Sequence, residues 1–171
     1  MSVDNPQRIV LQPGTTMPNN GLPVLVYRQA LSPKGSSKAA GFERLFEANG
    51  WRGIWRDSVF DYDHFHPNAH EVLGIAQGRA TLQLGGDTGK TVEVEAGDAL
   101  LLPAGTGHRR VSKSENLVVI GAYPPGQENP EICRARQDDS DRRIADVALP
   151  HTDPVAGETG PVLTLWRERV S

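Results

Sequence analysis

Four of the five histidines in the chain, His64, His66, His70 and His108, fall in one central region together with Glu71. Imidazole nitrogens and a carboxylate form a mixed donor set that suits iron, manganese, nickel, copper or zinc, with bonds of about 2.0 to 2.2 Å for a zinc-like ion. A strand projects alternate side chains to one face, so His64 and His66 in a strand from Val59 to His66 would be neighbours on one surface. Pro67-Asn68 then breaks the chain, and Glu71 opens a second strand whose face of Glu71, Leu73 and Ile75 can turn to the same interior. His108 follows the turn Pro103-Ala-Gly105 and completes the set from a third strand. Four protein ligands leave positions open on a metal of higher coordination number, which is what catalysis or ligand capture needs.

The same alternation nominates Phe60, Tyr62, Leu73, Ile75, Leu100 and Leu102 as the apolar wall of a substrate pocket. Arg110, two residues beyond His108, is an inward cation that can grip a carboxylate bidentately, unless a one-residue slip exchanges it for Arg109. Glu71 can also leave the metal and act as a base, with Tyr62 as an acid. His70 falls on the face opposite Glu71 and reads as a loop or pocket histidine. It can instead join or replace Glu71 at the metal, because a strand that begins in a loop can turn either side chain inward.

These residues resemble the cupin superfamily, whose first motif reads Gly-x5-His-x-His-x3,4-Glu-x6-Gly and whose second reads Gly-x5-Pro-x-Gly-x2-His-x3-Asn. His64, His66, Glu71 and Gly78 fall at the first spacing, and Gly97, Pro103, Gly105 and His108 at the second. Ser58 stands where the first motif begins with glycine and Ser112 where the second ends in asparagine, departures that touch turn geometry more than metal ligands. The chain is similar to small single-domain bacterial cupins of unassigned activity. The resemblance implies an all-β fold, the double-stranded β-helix or jelly-roll barrel, in a protein that is often dimeric.

The elements that must position these groups are short. Regular runs bounded by Gly, Pro, Asn and Asp predict strands at residues 54–56, 59–66, 71–76, 79–84, 91–95, 99–102, 108–112 and 117–123. Two further runs, Arg8 to Gln12 and Pro23 to Arg28, precede them, the first suited to a sheet edge or to an arm that pairs with another subunit. Between Ser37 and Asn49, Ala39, Phe42, Leu45 and Phe46 recur at helical spacing, with Gly50 as terminator. A short helix is expected around Asp141 to Val147 and a closing strand from Val162 to Val170. The domain reading is one cupin unit over 1–171, with the barrel core at about 52–125, N-terminal strands and helix in 1–51 and an extension over 126–171.

A formal net charge of -3 and the lack of a basic face argue against nucleic acid. No apolar run approaches membrane-spanning length. Cys133 is the single cysteine, and the N-terminus carries no apolar signal segment, so the expected setting is the cytoplasm. The expectation is therefore a homodimeric cupin that binds one divalent transition metal (Fe, Mn, Ni or Zn) and acts on a small organic molecule as a dioxygenase or isomerase. The competing class is a non-catalytic, metal-dependent module that binds or senses a sugar or organic acid.

Overall fold

The structure is a computed structural model that describes residues 3–32 and 38–167. Among the described residues nine strands form two antiparallel sheets: β1 (Gln7–Ile9), β2 (Val24–Tyr27), β3 (Arg52–Asp57), β4 (Glu71–Gln77), β5 (Arg79–Leu84), β6 (Lys90–Glu95), β7 (Ala99–Leu102), β8 (His108–Lys113) and β9 (Val118–Tyr123). One sheet runs in the order β1-β2-β7-β4-β9-β3 and the other β6-β5-β8. The fold is all-β with few helices, as a jelly roll requires, and β1 is an edge strand paired with β2.

Alternation along β4 sorts its side chains between two cores. Leu73 and Ile75 join Leu82, Leu84, Val92, Leu100, Leu102 and Val119 in the interior cluster between the sheets. Val72 and Ala76 face the other way and pack with helix α1 (Lys38–Ala48). Phe42 of α1 lies flat on Gly74, where an added Cβ would stand 2.6 Å from its ring. Burying that aromatic ring contributes about 2 to 3 kcal/mol, which offsets the poor helix propensity of Gly41. Gly50, at φ 84, ends α1 in the left-handed conformation, with Trp51 N–H returning to the Phe46 carbonyl at 2.9 Å.

Two expectations are corrected. Residues 59–63 form no strand; only His64 and Phe65 make isolated bridges, to His108 and Cys133. The Arg110 backbone N–H donates to the Phe60 carbonyl and its guanidinium to the Val59 carbonyl and Ser58 Oγ, so the segment is held as an irregular coil instead of a ladder. The closing strand is also absent where the chain is described. Val162–Leu165 is a short helix, α3, following α2 (Ser140–Ala145), which falls where a short helix is expected. Val162 and Trp166 are buried while Thr164 between them is exposed, a pattern that a helix satisfies and a strand, which would put all three on one face, does not; positions 168–170 of that run lie outside the described residues.

Candidate metal centre

Glu71, His64, His66 and His108 arrive from different elements at one end of the space between the sheets. Glu71 opens β4, opposite Leu102 of β7, and His108 opens β8 in the other sheet. His64 is tied to His108 by reciprocal backbone bonds of 3.3 and 2.9 Å, which extend the smaller sheet to the first histidine. Gly105 N–H donates to the His66 carbonyl at 2.9 Å. Gly105 itself sits at φ 86, and any Cβ there would press on the Asn19 carbonyl and Ile144.

Each imidazole is oriented by a backbone carbonyl through Nδ1: His64 by Tyr62 at 3.0 Å, His66 by Glu131 at 2.8 Å and His108 by Thr106 at 2.9 Å. A carbonyl only accepts, so each of these ring nitrogens carries the hydrogen, and a neutral ring then presents a bare lone pair at Nε2. The three rings offer ligand atoms within 4.8 Å of one another, and all three side chains are buried. Glu71 Oε1 lies 3.4 Å from His66 Nε2 and 3.5 Å from His108 Nε2. Acceptors facing one another at this range repel unless a proton or a cation lies among them, and two ligands about 2.1 Å from one ion stand about this far apart. The donor set fits a divalent transition metal.

The electrostatics agree. Burial pushes the His64 imidazole down to about 3, with His108 adding to that shift against the pull of the Tyr62 carbonyl, so the ring is neutral at ordinary pH. Burial alone would raise the Glu71 carboxyl, but the charge of His66 and His108 with a proton on Nε2, and their hydrogen bonds to Glu71, outweigh it and hold the group well below the usual carboxylate range. The other Glu71 oxygen, Oε2, accepts the Tyr123 hydroxyl at 2.8 Å, and that hydroxyl accepts Trp55 Nε1–H at 2.8 Å. Because the indole can only donate, the tyrosine hydrogen is directed at Glu71. Burial and then the Glu71 charge raise the Tyr123 phenol above its ordinary range.

A cavity of about 250 Å³ opens over the cluster. Of the residues expected in its wall, Phe60 and Leu73 line it together with His64, His66, Glu71 and His108. Ile75, Leu100 and Leu102 lie deeper, in the packed interior, and are not in the wall. Tyr62 is stacked on Phe60 at 4.9 Å with the Arg134 guanidinium 4.1 Å from its ring centre, outside the cavity. Arg110 shares the His108 face, but its guanidinium is engaged by Ser58 and Val59 and does not reach the cavity. His70 points away from the cluster. Its Nδ1 accepts the Ala104 N–H at 2.8 Å, its ring lies against Trp166, and burial pushes it down to about 4. Its Nε2 faces the Ala148 carbonyl without closing a hydrogen bond of normal length.

Three residues with roles here escape a reading by motif. Tyr123 and Trp55 were legible only as strand residues, although the alternation Val119-Gly121-Tyr123 does put Tyr123 on the inner face of β9. Asn19 sits in a Pro-Asn segment that reads as linker. It is buried, and its Oδ1 accepts Gly107 N–H at 2.9 Å while Nδ2 donates to the Gln12 and Gly85 carbonyls, which fixes the turn ahead of His108.

The cupin-domain family model matches residues 58–130, the span that contains His64, His66, Glu71 and His108. The chain is also 37% identical over 153 residues to the uncharacterized protein YjlB of Bacillus subtilis (strain 168), covering 88% of this chain and 90% of that one. The chain belongs to the cupin superfamily. A shorter stretch of this cupin, 64 residues, is 38% identical to a probable oxalate decarboxylase of Arthroderma benhamiae, covering 35% of this chain and 16% of that protein. Among solved structures, an acireductone dioxygenase from Bacillus anthracis with a cadmium ion in its active centre overlaps 63% of this chain and 82% of its own at a TM-score of 0.43 and 17% identity. A TDP-fucose-3,4-ketoisomerase from Campylobacter jejuni overlaps 43% of this chain and 59% of its own at 0.37 and 12%.

Proposed function

We propose that this cupin is a metal-dependent protein acting on a small organic molecule, with His64, His66, Glu71 and His108 as the ligands of one divalent ion. The observation that supports it is that the ring nitrogens of His64, His66 and His108 lie within 4.8 Å of one another, two of them facing Glu71 Oε1 at 3.4 and 3.5 Å, with each ring locked by a carbonyl at Nδ1. A bound divalent ion would supply Lewis-acid polarisation of a substrate oxygen, and with iron or a similar redox metal, access to dioxygen chemistry. The chain's own residues do the rest. Glu71 is held as a carboxylate by its neighbours and by Tyr123, and can take a proton from a bound substrate once its Oε1 is free. Phe60, Leu73 and Val59 exclude water from the cavity. Tyr62 lies beyond the wall, so Tyr123 is the nearer phenol to act as the acid. Dioxygenase and isomerase chemistry both fit this arrangement.

The reading extends to the whole chain as one cupin domain with its barrel core near 52–125, working in the cytoplasm as a homodimer. No helix among the described residues is long and apolar enough to cross a membrane. The experiment is metal analysis of untagged protein from its host, followed by oxygen consumption and product formation across a substrate panel with iron, manganese, nickel and zinc forms. The expected result is close to one equivalent of a transition metal and turnover with at least one form. Less than a tenth of an equivalent even after reconstitution would overturn the metal reading. Tight ligand binding with no turnover by any metal form would make the protein a binding module.

A further inference from the structure

The cavity over the cluster has polar groups at its floor, and the charged side chains in its walls are Arg56, paired with Glu43, and Asp57, itself an anion. Tyr123 is occupied at both ends by Trp55 and Glu71. Ser58 Oγ accepts from Arg110. Three guanidiniums on this side of the molecule have partners: Arg56 with Glu43 at 2.8 Å, Arg110 with Ser58 and Val59, and Arg134 over Tyr62. Beside Arg56, Asp57 and Ser58 the wall is apolar, formed by Trp55, Val59, Phe60, Leu73, Pro130 and Ile132, and Phe60 and Ile132 are 45% and 50% exposed. Apolar side chains lining a cavity suit an apolar part of a ligand.

Charge narrows the ligand further. Metal-bound imidazoles are neutral, so one carboxylate against a divalent ion leaves one unit of net positive charge at the floor. A single anionic group closes that charge. A second anionic group on the same ligand would lie against Phe60, Val59 or Ile132, with no free cation among the described residues of the wall. An unpaired charge held against an apolar wall is strongly disfavoured. Size sets the third limit. At roughly 30 Å³ per water-sized group, a cavity of about 250 Å³ holds about eight such groups.

We infer that the pocket selects a small monoanion with two adjacent oxygens at one end, as in a 2-oxo or 2-hydroxy carboxylate, and an apolar tail that leaves between Phe60 and Ile132. This rests on the metal reading above. It runs against dicarboxylates, phosphorylated sugars and nucleotide-linked sugars, each of which brings a second anionic or strongly polar group to that wall.

The test uses the full chain loaded with cobalt(II), whose visible absorption reports ligands entering its coordination sphere, titrated with 4-methyl-2-oxopentanoate, pyruvate and 2-oxoglutarate. These share one head and differ in an apolar tail, a short tail and a tail ending in a second carboxylate. The expected order of affinity is 4-methyl-2-oxopentanoate first, by tenfold or more over pyruvate, with 2-oxoglutarate no better than pyruvate. Ile132→Ser is expected to weaken the branched ligand fivefold or more and pyruvate less than twofold. If 2-oxoglutarate binds as tightly as the branched acid, or Ile132→Ser weakens both ligands alike, the inference is wrong. A cobalt-loaded protein whose spectrum no member of the series perturbs also overturns it, while leaving the metal centre standing. Failure to take up cobalt at all would overturn the metal reading and this one together.

Discussion

Tyr123 on β9 donates its hydroxyl to Oε2 of Glu71 on the neighbouring strand β4 at 2.8 Å, leaving Oε1 alone to face His66 and His108. One carboxylate is thereby divided: one oxygen is fixed by protein and the other is free for a metal. Partners of this kind, which orient a ligand without touching the ion, are commonly worth 10- to 100-fold in metal affinity.

Tyr123→Phe removes the donor and keeps the ring. Metal affinity is expected to fall about 10- to 100-fold, measured by competition against a chromophoric chelator. The metal-free variant should lose about 1 to 3 kcal/mol in a urea titration, because a buried carboxylate oxygen is left without its donor. An unchanged affinity would show that Tyr123 does not set how Glu71 is presented.

Metal binding should stabilise the fold. A ligand that binds the native chain alone adds about 4 kcal/mol at a thousand times its dissociation constant, so removal by a chelator is expected to lower the melting temperature and readdition to restore it. His108→Ala should abolish that response, since His108 is one of the three converging rings and also the backbone partner of His64. The reading fails if the variant is stabilised by metal as much as the native chain.

Gly121 of β9 carries a different load. A Cβ at this position would overlap the Trp55 indole, the group that donates to the Tyr123 hydroxyl. Gly121→Ala is therefore expected to push the indole off Tyr123, costing about 1 to 3 kcal/mol through overpacking and part of the metal affinity lost in Tyr123→Phe. Trp55→Phe, which fits the space but lacks the N–H, should reproduce the affinity loss with a smaller stability change. Urea unfolding and chelator competition on both variants separate packing from orientation.

How much of this was legible in the sequence depends on what kind of information each residue carries. Glu71 and His108 were legible because strand alternation and turn spacing act locally; His64 and His66 lie in a coil that bridges at His64 and Phe65 hold extended, so residues two apart there still share a side. The division of β4 into an inner face with Leu73 and Ile75 and an outer face with Val72 and Ala76 follows from the same rule. The depth of a residue within the barrel does not. Leu100 and Leu102 face inward as expected, but β7 carries them below the cavity floor. The coil at 59–63 was hidden because it is held by Arg110, fifty residues further along the chain in round terms. The helix at Val162–Leu165 was misread because β-branched and leucine residues carry strand propensity, whereas what decided it was the burial of Val162 and Trp166 against the outer face of the larger sheet. His70 followed the alternation: it turns outward to Trp166.

A last prediction concerns how the C-terminal segment is fastened to the barrel. Tyr27 on β2 donates its hydroxyl to Asp153 Oδ2 at 2.7 Å, and both residues are fully buried. The same carboxylate accepts from the backbone N–H groups of Val155, Ala156 and Val162 and so ties down the turn that leads into α3. Burial, then the Asp153 charge and the hydrogen bond, raise the Tyr27 phenol well above its ordinary range near 10. Below pH 10 the phenol is protonated in both the folded and the unfolded chain, so its contribution is fully present. Above pH 10 the unfolded chain releases that proton and the folded chain keeps it, so stability falls as pH rises, by about 1.4 kcal/mol per pH unit for one such group. Tyr27→Phe is expected to reduce the alkaline slope by about that amount. At neutral pH it should cost about 1 to 3 kcal/mol, because Asp153 Oδ2 loses one of its two donors. Urea midpoints for both proteins at pH 8, 10 and 11 supply the comparison, and equal slopes above pH 10 would show that the Tyr27 proton is not what holds the segment.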